Sequence, residues 1–313
     1  MEYDGKEEAQ KASSDTRFGA PSPTSLPDQT SSQVQQQAES QSTQYDGMDK
    51  EMSAYSNGLK LDLARAYDIA EQARSRKHDP ELFVEITPAA DVAARVEGIV
   101  GPKGIATIIR SYEQEGMSRD MVAYTIAKKI ASGQVPNIEP ATKQHLIEQA
   151  VRTSVGILTE GVLVAPTEGI SKFEIRQNPD GSDYLAVYFA GPIRSAGGTV
   201  AALAVVLADV ARRETGVGDF RPTDTLLDRY VEEIDVYGTR SAHLQYRPSD
   251  EDIRHIVKNC PICIDGDPTE KDEVVVKRDL PEVATNRVRS GIALVICEGI
   301  AQRSEERRVG KEC

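Results

Sequence analysis

A strand-like run, a glycine-rich turn and a long apolar segment follow one another between residues 184 and 210, and this order constrains the fold more than any other feature. Residues 184–189 are rich in aromatic and aliphatic side chains, which favours a strand. Residues 191–199, Gly-Pro-Ile-Arg-Ser-Ala-Gly-Gly-Thr, form the turn. Residues 200–210 are apolar on nearly all sides, so we predict a helix that is buried around most of its circumference.

Local signals around this segment predict an α+β fold for the second half of the chain. Polar and apolar residues alternate over 172–176, and the turn-forming sequence Asn-Pro-Asp-Gly at 178–181 then leads back into the strand, so a hairpin is predicted. Farther along, we predict a short strand at 273–277 and a final helix at 286–302.

Two further helices are predicted from their capping residues. Asp224 is expected to cap a helix that buries Leu227, Val231 and Ile234. Ser249, with an acid three residues later at Asp252, has the pattern of a capping box and predicts a helix that runs to about residue 259.

The first half of the chain predicts helices without strands. Apolar side chains recur every three or four residues over 48–76, which is the pattern of an amphipathic helix. Three more helices are predicted near 89–99, 118–131 and 142–158, because glycine and proline interrupt the pattern between them. Residues 1–46 are dominated by polar and small residues, so we predict a disordered tail there.

Charge and cysteine content exclude several classes of protein. The formal net charge of −13 argues against a protein that coats nucleic acid by bulk electrostatic attraction. The longest uncharged apolar run, residues 200–208, is shorter than a membrane-spanning helix, and the first residues do not have the pattern of a secretory signal, so a cytoplasmic location is expected. Four cysteines are too few for a disulfide framework in 313 residues.

The turn at 191–199 is the strongest candidate site. Free backbone N–H groups and the helix dipole at such a turn suit a phosphate, and the residues singled out for phosphate or DNA binding are Arg194, Ser195, Gly197, Gly198 and Thr199. Paired glycines also permit tight packing of a strand against a helix. One alternative is a nucleic-acid-binding module, which should bind single strands with a steep salt dependence and lose this binding in the variant Arg194→Ala. Another is a small phosphate-handling enzyme, whose thermal stability should increase when a nucleotide binds.

Other chemistry-bearing residues favour structural interpretations. Cys260 and Cys263 form a single C-x-x-C without two further ligands at zinc-finger spacing, so two partly buried thiols are predicted, followed by a turn at 264–268. The acids Asp228, Glu232, Glu233 and Asp235 share one predicted helix, and 250–252 open the next. They could hold Mg²⁺, but a solvated face and favourable helix-dipole partners are more common roles for such residues.

Several blocks of the sequence resemble, in order, the large subunit of archaeal D-family DNA polymerases. Residues 188–199, Tyr-Phe-Ala-Gly-Pro-Ile-Arg-Ser-Ala-Gly-Gly-Thr, are similar to that family's block Y-[FY]-A-G-P-I-R-S-A-G-G-T. The other similar blocks are residues 158–162, 165–170, 230–237, 244–248, 265–270, 278–291 and 298–301.

The resemblance implies a heterodimeric replicative polymerase that acts on a DNA primer-template, with a small subunit that is a 3′→5′ exonuclease. It also implies a catalytic core of double-psi β-barrels, Mg²⁺ held by an N-A-D-F-D-G-D block, and Zn²⁺ in cysteine-rich modules. That aspartate block does not occur in this sequence, and Cys260 and Cys263 do not match the zinc modules. We therefore expect an N-terminal fragment that is inactive alone, without catalytic residues and without a bound cofactor.

The expected organisation is a tail at 1–46, a helical domain at 47–160, an α+β domain at 161–302 and a last segment at 303–313. This last segment departs from the family pattern and resembles a translated sequencing adapter, so we expect it to be an artefact.

Overall fold

The structure is a computed structural model that describes residues 50–78, 89–136, 138, 142–159 and 163–305. The chain divides into two compact units, residues 1–84 and 85–313. In the first unit, helix α1 spans Lys50–Ser75, which confirms the predicted amphipathic helix, and none of its residues is buried. The predicted tail at 1–46 lies outside the described residues.

The second unit begins with helices that confirm three predictions and add one element. Helices α2 (Val92–Ile99), α4 (Arg119–Ala131) and α5 (Lys143–Leu158) match the predicted ones. Helix α3, at Ile105–Gln114, was not predicted, although its apolar side chains Ile105, Ile109 and Tyr112 recur at helical spacing. A short helix α6 follows at Val164–Thr167.

The predicted hairpin is confirmed and forms part of a three-stranded sheet. Strand β1 (Ile170–Gln177) pairs antiparallel with β2 (Asp183–Phe189), with Phe173 opposite Val187. Strand β3 (Cys263–Gly266) pairs parallel with the other side of β2. Residues 184–189 of the central strand are all buried, because β2 is covered on both faces as well as at both edges.

The apolar segment is helix α7, Gly197–Glu214, preceded by a 3-10 turn at Gly191–Ala196. Within the described part of the chain, the stretch Gly191–Glu214 is the only helix long and apolar enough to cross a membrane. Its alanines at 201, 204, 208 and 211 are buried in the protein core. Since the core helix of a folded domain meets the same test, length and composition alone do not indicate a membrane span here.

Helix α8 spans Asp224–Val236, but its capping residue differs from the prediction. Thr223, not Asp224, is the N-cap, and its hydroxyl accepts a hydrogen bond from the backbone N–H of Leu226 at 3.2 Å. Threonine and aspartate are both good N-caps, so the pattern left the position uncertain by one residue. A π-helical turn, Tyr237–Ser241, extends α8.

Helix α9 spans Asp250–Asn259 and confirms the predicted capping signal. The Ser249 hydroxyl accepts a hydrogen bond from the Asp252 backbone N–H at 3.2 Å. The buried positions of α9 are Ile253 and Val257, which place one face of the helix on the core.

Two predictions for the region after α9 are wrong. Residues 264–268 were expected to form a turn, but Ile264, Asp265 and Gly266 belong to β3. Residues 273–277 were expected to form a strand, but only Glu273 makes a bridge, to Arg287. The backbone N–H groups of 275–277 are instead bound by a side chain, which is described below, and they are therefore not available to a neighbouring strand.

The final helix begins later than predicted. Helix α10 spans Ser290–Ala293 and continues as a π-helix at Leu294–Ala301. Residues 286–289 stay outside the helix, because Arg287 pairs with Glu273 and the Val288 N–H donates to the Asp272 carbonyl at 2.9 Å. Buried side chains from α2 through α10 belong to one continuous apolar cluster. The predicted domain boundary at residue 160 stays a prediction.

Candidate functional site

The glycine-rich turn holds its candidate residues in defined positions. The Ser195 hydroxyl donates to the Pro192 carbonyl at 2.8 Å, which closes the 3-10 turn. Gly197 has a φ of 79°, a left-handed conformation that favours glycine and allows the chain to enter α7. Arg194, Ser195 and Thr199 are exposed, so three polar side chains of the turn face solvent.

Arg194 is bound to a carboxylate of its own chain. Its guanidinium makes two hydrogen bonds with Glu298, at 3.1 and 2.6 Å, and a third with the His243 carbonyl at 3.2 Å. The Glu298 carboxylate also accepts the backbone N–H of Gln245 at 3.0 Å. A phosphate would have to compete with this carboxylate for Arg194. The pair joins the turn to the last helix and to residues 243–245.

Gly198 has a packing role that does not require a phosphate. A Cβ atom at this position would lie 2.2 Å from the backbone oxygen of Glu298, closer than any real contact. The glycine therefore allows α7 to approach the π-helix at Leu294–Ala301.

Phosphate or DNA binding by Arg194, Ser195, Gly197, Gly198 and Thr199 stays a prediction. A binding test with Arg194→Ala needs a parallel measurement of folding, because the substitution also removes the partner of Glu298.

A buried charge network lies between β3, α8 and the start of α10. It is formed by Arg229, Glu233, Asp265 and Arg289, and Arg176 connects it to the surface. Arg289 donates to Glu233 at 2.9 Å through Nε and at 2.6 Å through Nη2, and it also contacts Asp265. Its backbone N–H donates to Glu233 at 2.7 Å. The exposed fractions of Arg229, Glu233 and Arg289 are at most 2%. One buried guanidinium thus joins a helix to the sheet.

The electrostatics of the network depend on this pairing. Burial acts to raise the pKa of Glu233, but the positive charges and hydrogen bonds of Arg289 and Arg229 outweigh it and hold the pKa below its ordinary value. Arg229 contacts Glu233 from the other side at 3.2 Å, and burial lowers the pKa of its guanidinium. Arg229, Glu233 and Arg289 therefore carry charge inside the protein and depend on one another.

The network also fixes the segment 267–289, here called the strap, which runs from β3 to α10. Arg229 donates to the carbonyls of Lys277 and Thr285 at 2.9 and 3.1 Å. Arg176 donates to Asp265 at 3.1 Å and to the Glu282 carbonyl at 3.0 Å. The strap contains no regular strand or helix. Hydrogen bonds from arginine side chains therefore help to set its path, together with the backbone bonds between its two ends.

A single carboxylate organises the tip of the strap. Glu232 accepts the backbone N–H groups of Val275, Val276 and Lys277 at 2.6, 2.7 and 2.7 Å. Three successive N–H groups that converge on one anion form a backbone nest. Burial acts to raise the pKa of Glu232, but these three donors outweigh it and lower the pKa below 4.5.

We expect Glu232→Gln to loosen the strap in a pH-dependent way. The folded-state pKa of Glu232 lies below its unfolded value, so its stabilising effect is present above about pH 4.5 and is lost as the pH falls through the folded pKa. The substitution should lower the free energy of unfolding by about 1–2 kcal/mol at neutral pH, and by less near pH 3. Urea unfolding at both pH values, with hydrogen exchange of the amides of 275–277, measures this.

The matched control for that experiment is Glu115→Gln, a glutamate in an exposed turn. It should change the free energy of unfolding by less than about 0.5 kcal/mol at either pH. Equal losses in the two variants, or unchanged exchange at 275–277 in Glu232→Gln, would contradict a specific role of the nest.

The carboxylates that sequence analysis considered for Mg²⁺ have protein partners. Asp228 pairs with Arg254 and, at 2.9 Å, with Lys277, while Asp235 pairs with Arg247 at 3.3 Å. Glu232 and Glu233 are engaged in the contacts above. Within the ranges that the structure describes, there is no group of three His, Cys, Asp or Glu side chains that could hold a metal ion.

The cysteines of the C-x-x-C motif are buried free thiols. Burial raises the pKa of Cys260 to about 11 and that of Cys263 to about 12, so both thiols stay protonated at neutral pH. The Sγ atom of Cys263 lies 3.5 Å from the Tyr230 hydroxyl, which donates to the Ile264 carbonyl at 2.7 Å. The pair packs in the core, as predicted, and is more deeply buried than predicted.

Sequence reasoning did not find the buried charge network, although one signal for it was present. Arg229 and Glu233 stand four residues apart on α8, on the same face as the buried residues Leu226, Tyr230 and Ile234. Opposite charges at this spacing on an apolar face indicate a paired, buried interaction. The partner Arg289, however, is 56 residues away from Glu233, and no local pattern links the two.

Glu233, Asp265 and Arg289 of the network, and both residues of the Arg194–Glu298 pair, come from the blocks at 188–199, 230–237, 265–270, 278–291 and 298–301. A family model described as the N-terminal region of the DNA polymerase II large subunit DP2 matches residues 54–311. The chain belongs to this family. The matched range extends into 303–313, whose expected origin as an artefact stays a prediction.

Large subunits of DNA polymerase II from three archaeal organisms illustrate the similarity. The chain is 48% identical over 255 residues to that of Methanosarcina barkeri, 49% over 254 to that of Methanococcoides burtonii and 51% over 247 to that of Methanocella arvoryzae. These matches cover 82%, 81% and 79% of this chain, but only 22%, 22% and 21% of the relatives. The chain therefore spans about a fifth of the length of the curated relatives it matches.

Proposed function

We propose that this chain is the N-terminal part of the large, catalytic subunit of a heterodimeric replicative DNA polymerase. The parent protein performs template-directed DNA synthesis on a primer-template in the cytoplasm, and its small subunit supplies a 3′→5′ exonuclease. The family match over residues 54–311 is the observation that carries this proposal. Identities of 48–51% to large subunits of DNA polymerase II support it.

Within the parent, this chain is a scaffold and the chemistry lies elsewhere. Two-metal nucleotidyl transfer needs carboxylates that are free to hold Mg²⁺. Asp228, Glu232, Glu233 and Asp235 of α8 are instead bound by arginine, lysine or backbone N–H groups. The Mg²⁺ ions are therefore bound by the remainder of the large subunit, and Zn²⁺ is bound by modules outside this chain. The chain itself binds no cofactor.

The proposal is tested by primer extension with matched proteins. We expect the full-length large subunit with its small subunit to extend a primer-template in the presence of Mg²⁺. This chain alone should incorporate no nucleotide above background. The loss should be complete, because the metal-binding acids are absent rather than weakened.

Two outcomes would contradict parts of the proposal. Extension by the isolated chain would overturn its assignment as an inactive scaffold. No extension by the full-length complex on any primer-template would overturn the proposed activity. Circular dichroism of the isolated chain is the control for folding.

A further inference from the structure

A groove lies between α8, α9 and the tip of the strap, and it is here called the strap groove. Val231 and Val276 contribute apolar surface to it. Its other lining residues are Asp228, Glu232, Asp235, Arg247, Asp250, Arg254 and Lys277. Apolar surface bordered by polar groups is common in protein–protein contacts.

The two valines at the tip of the strap are unusually exposed for their type. Val275 is 65% exposed and Val276 is 76% exposed. The next residue toward the N-terminus, Val274, is fully buried and anchors the strap to the domain. Two adjacent exposed β-branched side chains at a projecting tip do not contribute to the core of this unit.

The exposed valines are held rigidly rather than carried on a loose loop. Glu232 accepts the backbone N–H groups of Val275, Val276 and Lys277, and the fully buried Arg229 donates to the carbonyl of Lys277. Asp279 and Asn286 close the base of the excursion with two hydrogen bonds of 2.8 and 2.7 Å. Prior ordering of a contact surface lowers the entropic cost of binding.

The charges of the strap groove favour a protein partner over a nucleic acid. Four acidic and three basic side chains line it. They neutralise one another: Asp228 pairs with Arg254 and Lys277, while Arg247 bridges Asp235 and Asp250. A phosphate backbone requires clustered, unpaired cations. A paired, nearly neutral rim instead fits a protein surface that buries the valines.

We propose that the strap groove and the tip valines dock a segment of the same large subunit that lies outside this chain. The relatives are more than four times as long as the matched region, since it covers 21–22% of their lengths. Most of the parent chain therefore lies outside the matched region, and a preformed apolar tip with a nearly neutral rim is suited to a contact with another part of the same chain. This inference depends on family membership and not on the proposed polymerase activity.

Photo-crosslinking in the full-length large subunit tests the proposal. Benzoylphenylalanine is placed at Val276 and, as a control, at Val206, which is 50% exposed on α7. The large subunit is irradiated with and without its small subunit, and the crosslinked peptides are identified by mass spectrometry. We expect crosslinks from position 276, but not from 206, to large-subunit peptides beyond residue 313, with or without the small subunit.

A second variant separates docking from folding. Val275→Asn, which adds polarity but no charge beside Glu232, should reduce the crosslink yield from position 276 about tenfold, which corresponds to about 1.4 kcal/mol. In this chain alone, the same substitution at an exposed position should leave the thermal unfolding transition unchanged. Crosslinks only to the small subunit, to a second copy or to residues 1–313 would overturn the proposal. A yield at position 276 no higher than at 206 would overturn it as well, whatever the polymerase assay shows.

Discussion

Arg289→Met is expected to lower the free energy of unfolding by about 3–5 kcal/mol, because it leaves buried carboxylates without their shared cation. Arg289 donates three hydrogen bonds to Glu233 and also contacts Asp265. The backbone N–H is retained in the variant, but both side-chain donors to Glu233 are lost. Since a typical domain is stable by only about 5–15 kcal/mol, this loss is a large part of the total.

Equilibrium unfolding in urea measures the effect, and two variants make it specific. Arg221→Met removes an arginine that is 64% exposed and paired with Asp180, so the loss should be below about 1 kcal/mol. Arg289→Lys keeps the positive charge but loses the planar guanidinium with its paired N–H donors. Its stability should therefore lie between those of the unsubstituted chain and Arg289→Met. If Arg289→Met costs no more than Arg221→Met, the network does not stabilise the fold as described.

The elements that could be predicted from sequence are those whose signals are local. The hairpin of β1 and β2 follows from turn residues between two β-rich runs, and α9 follows from Ser249 and the acid three residues later. Helix α3 was missed between two glycine breaks, although its spacing is helical. These elements depend on interactions within a few residues, and such interactions can be read from a single sequence.

The elements that could not be predicted depend on contacts between distant parts of the chain. Strand β3 has only four residues and includes an aspartate and a glycine, so its strand propensity is low. Its partner strand β2 is about 80 residues earlier in the sequence. Residues 273–277 have strand-like composition, but Glu232 binds the N–H groups that a strand would use. Tertiary contacts override local preference at both places.

The same distinction applies to the candidate site. The sequence identified the glycine-rich turn and its exposed polar residues, because glycine spacing is a local signal. It did not show that Arg194 binds Glu298, 104 residues away, or that Gly198 lies against the backbone of Glu298. The resemblance marked the blocks that hold these residues. The structure adds that two of these blocks contact each other through Arg194, Gly198 and Glu298.

Among the glycines that the structure describes, Gly291 should be the least tolerant of substitution by alanine. A Cβ atom at Gly291 would lie 2.0 Å from the carbonyl oxygen and 2.3 Å from the carbonyl carbon of Phe189. Both are backbone atoms at the end of β2, a strand paired on both sides, so neither can move aside as a flexible side chain would. We expect a loss of about 3 kcal/mol or more in the free energy of unfolding.

Gly98→Ala is the matched control, because a Cβ atom at Gly98 on α2 would meet nothing within 4 Å. Alanine has the higher helix propensity, so this variant should be neutral or more stable by up to about 1 kcal/mol. Both variants add one methyl group to the unsubstituted chain. The difference between their free energies of urea unfolding therefore reports the surroundings of that methyl group. A loss below about 1 kcal/mol in Gly291→Ala would mean that α10 can shift away from β2. In that case Arg289, two residues before Gly291, should lose its contacts as well. The amides of the strap should then exchange faster in Gly291→Ala than in the unsubstituted chain.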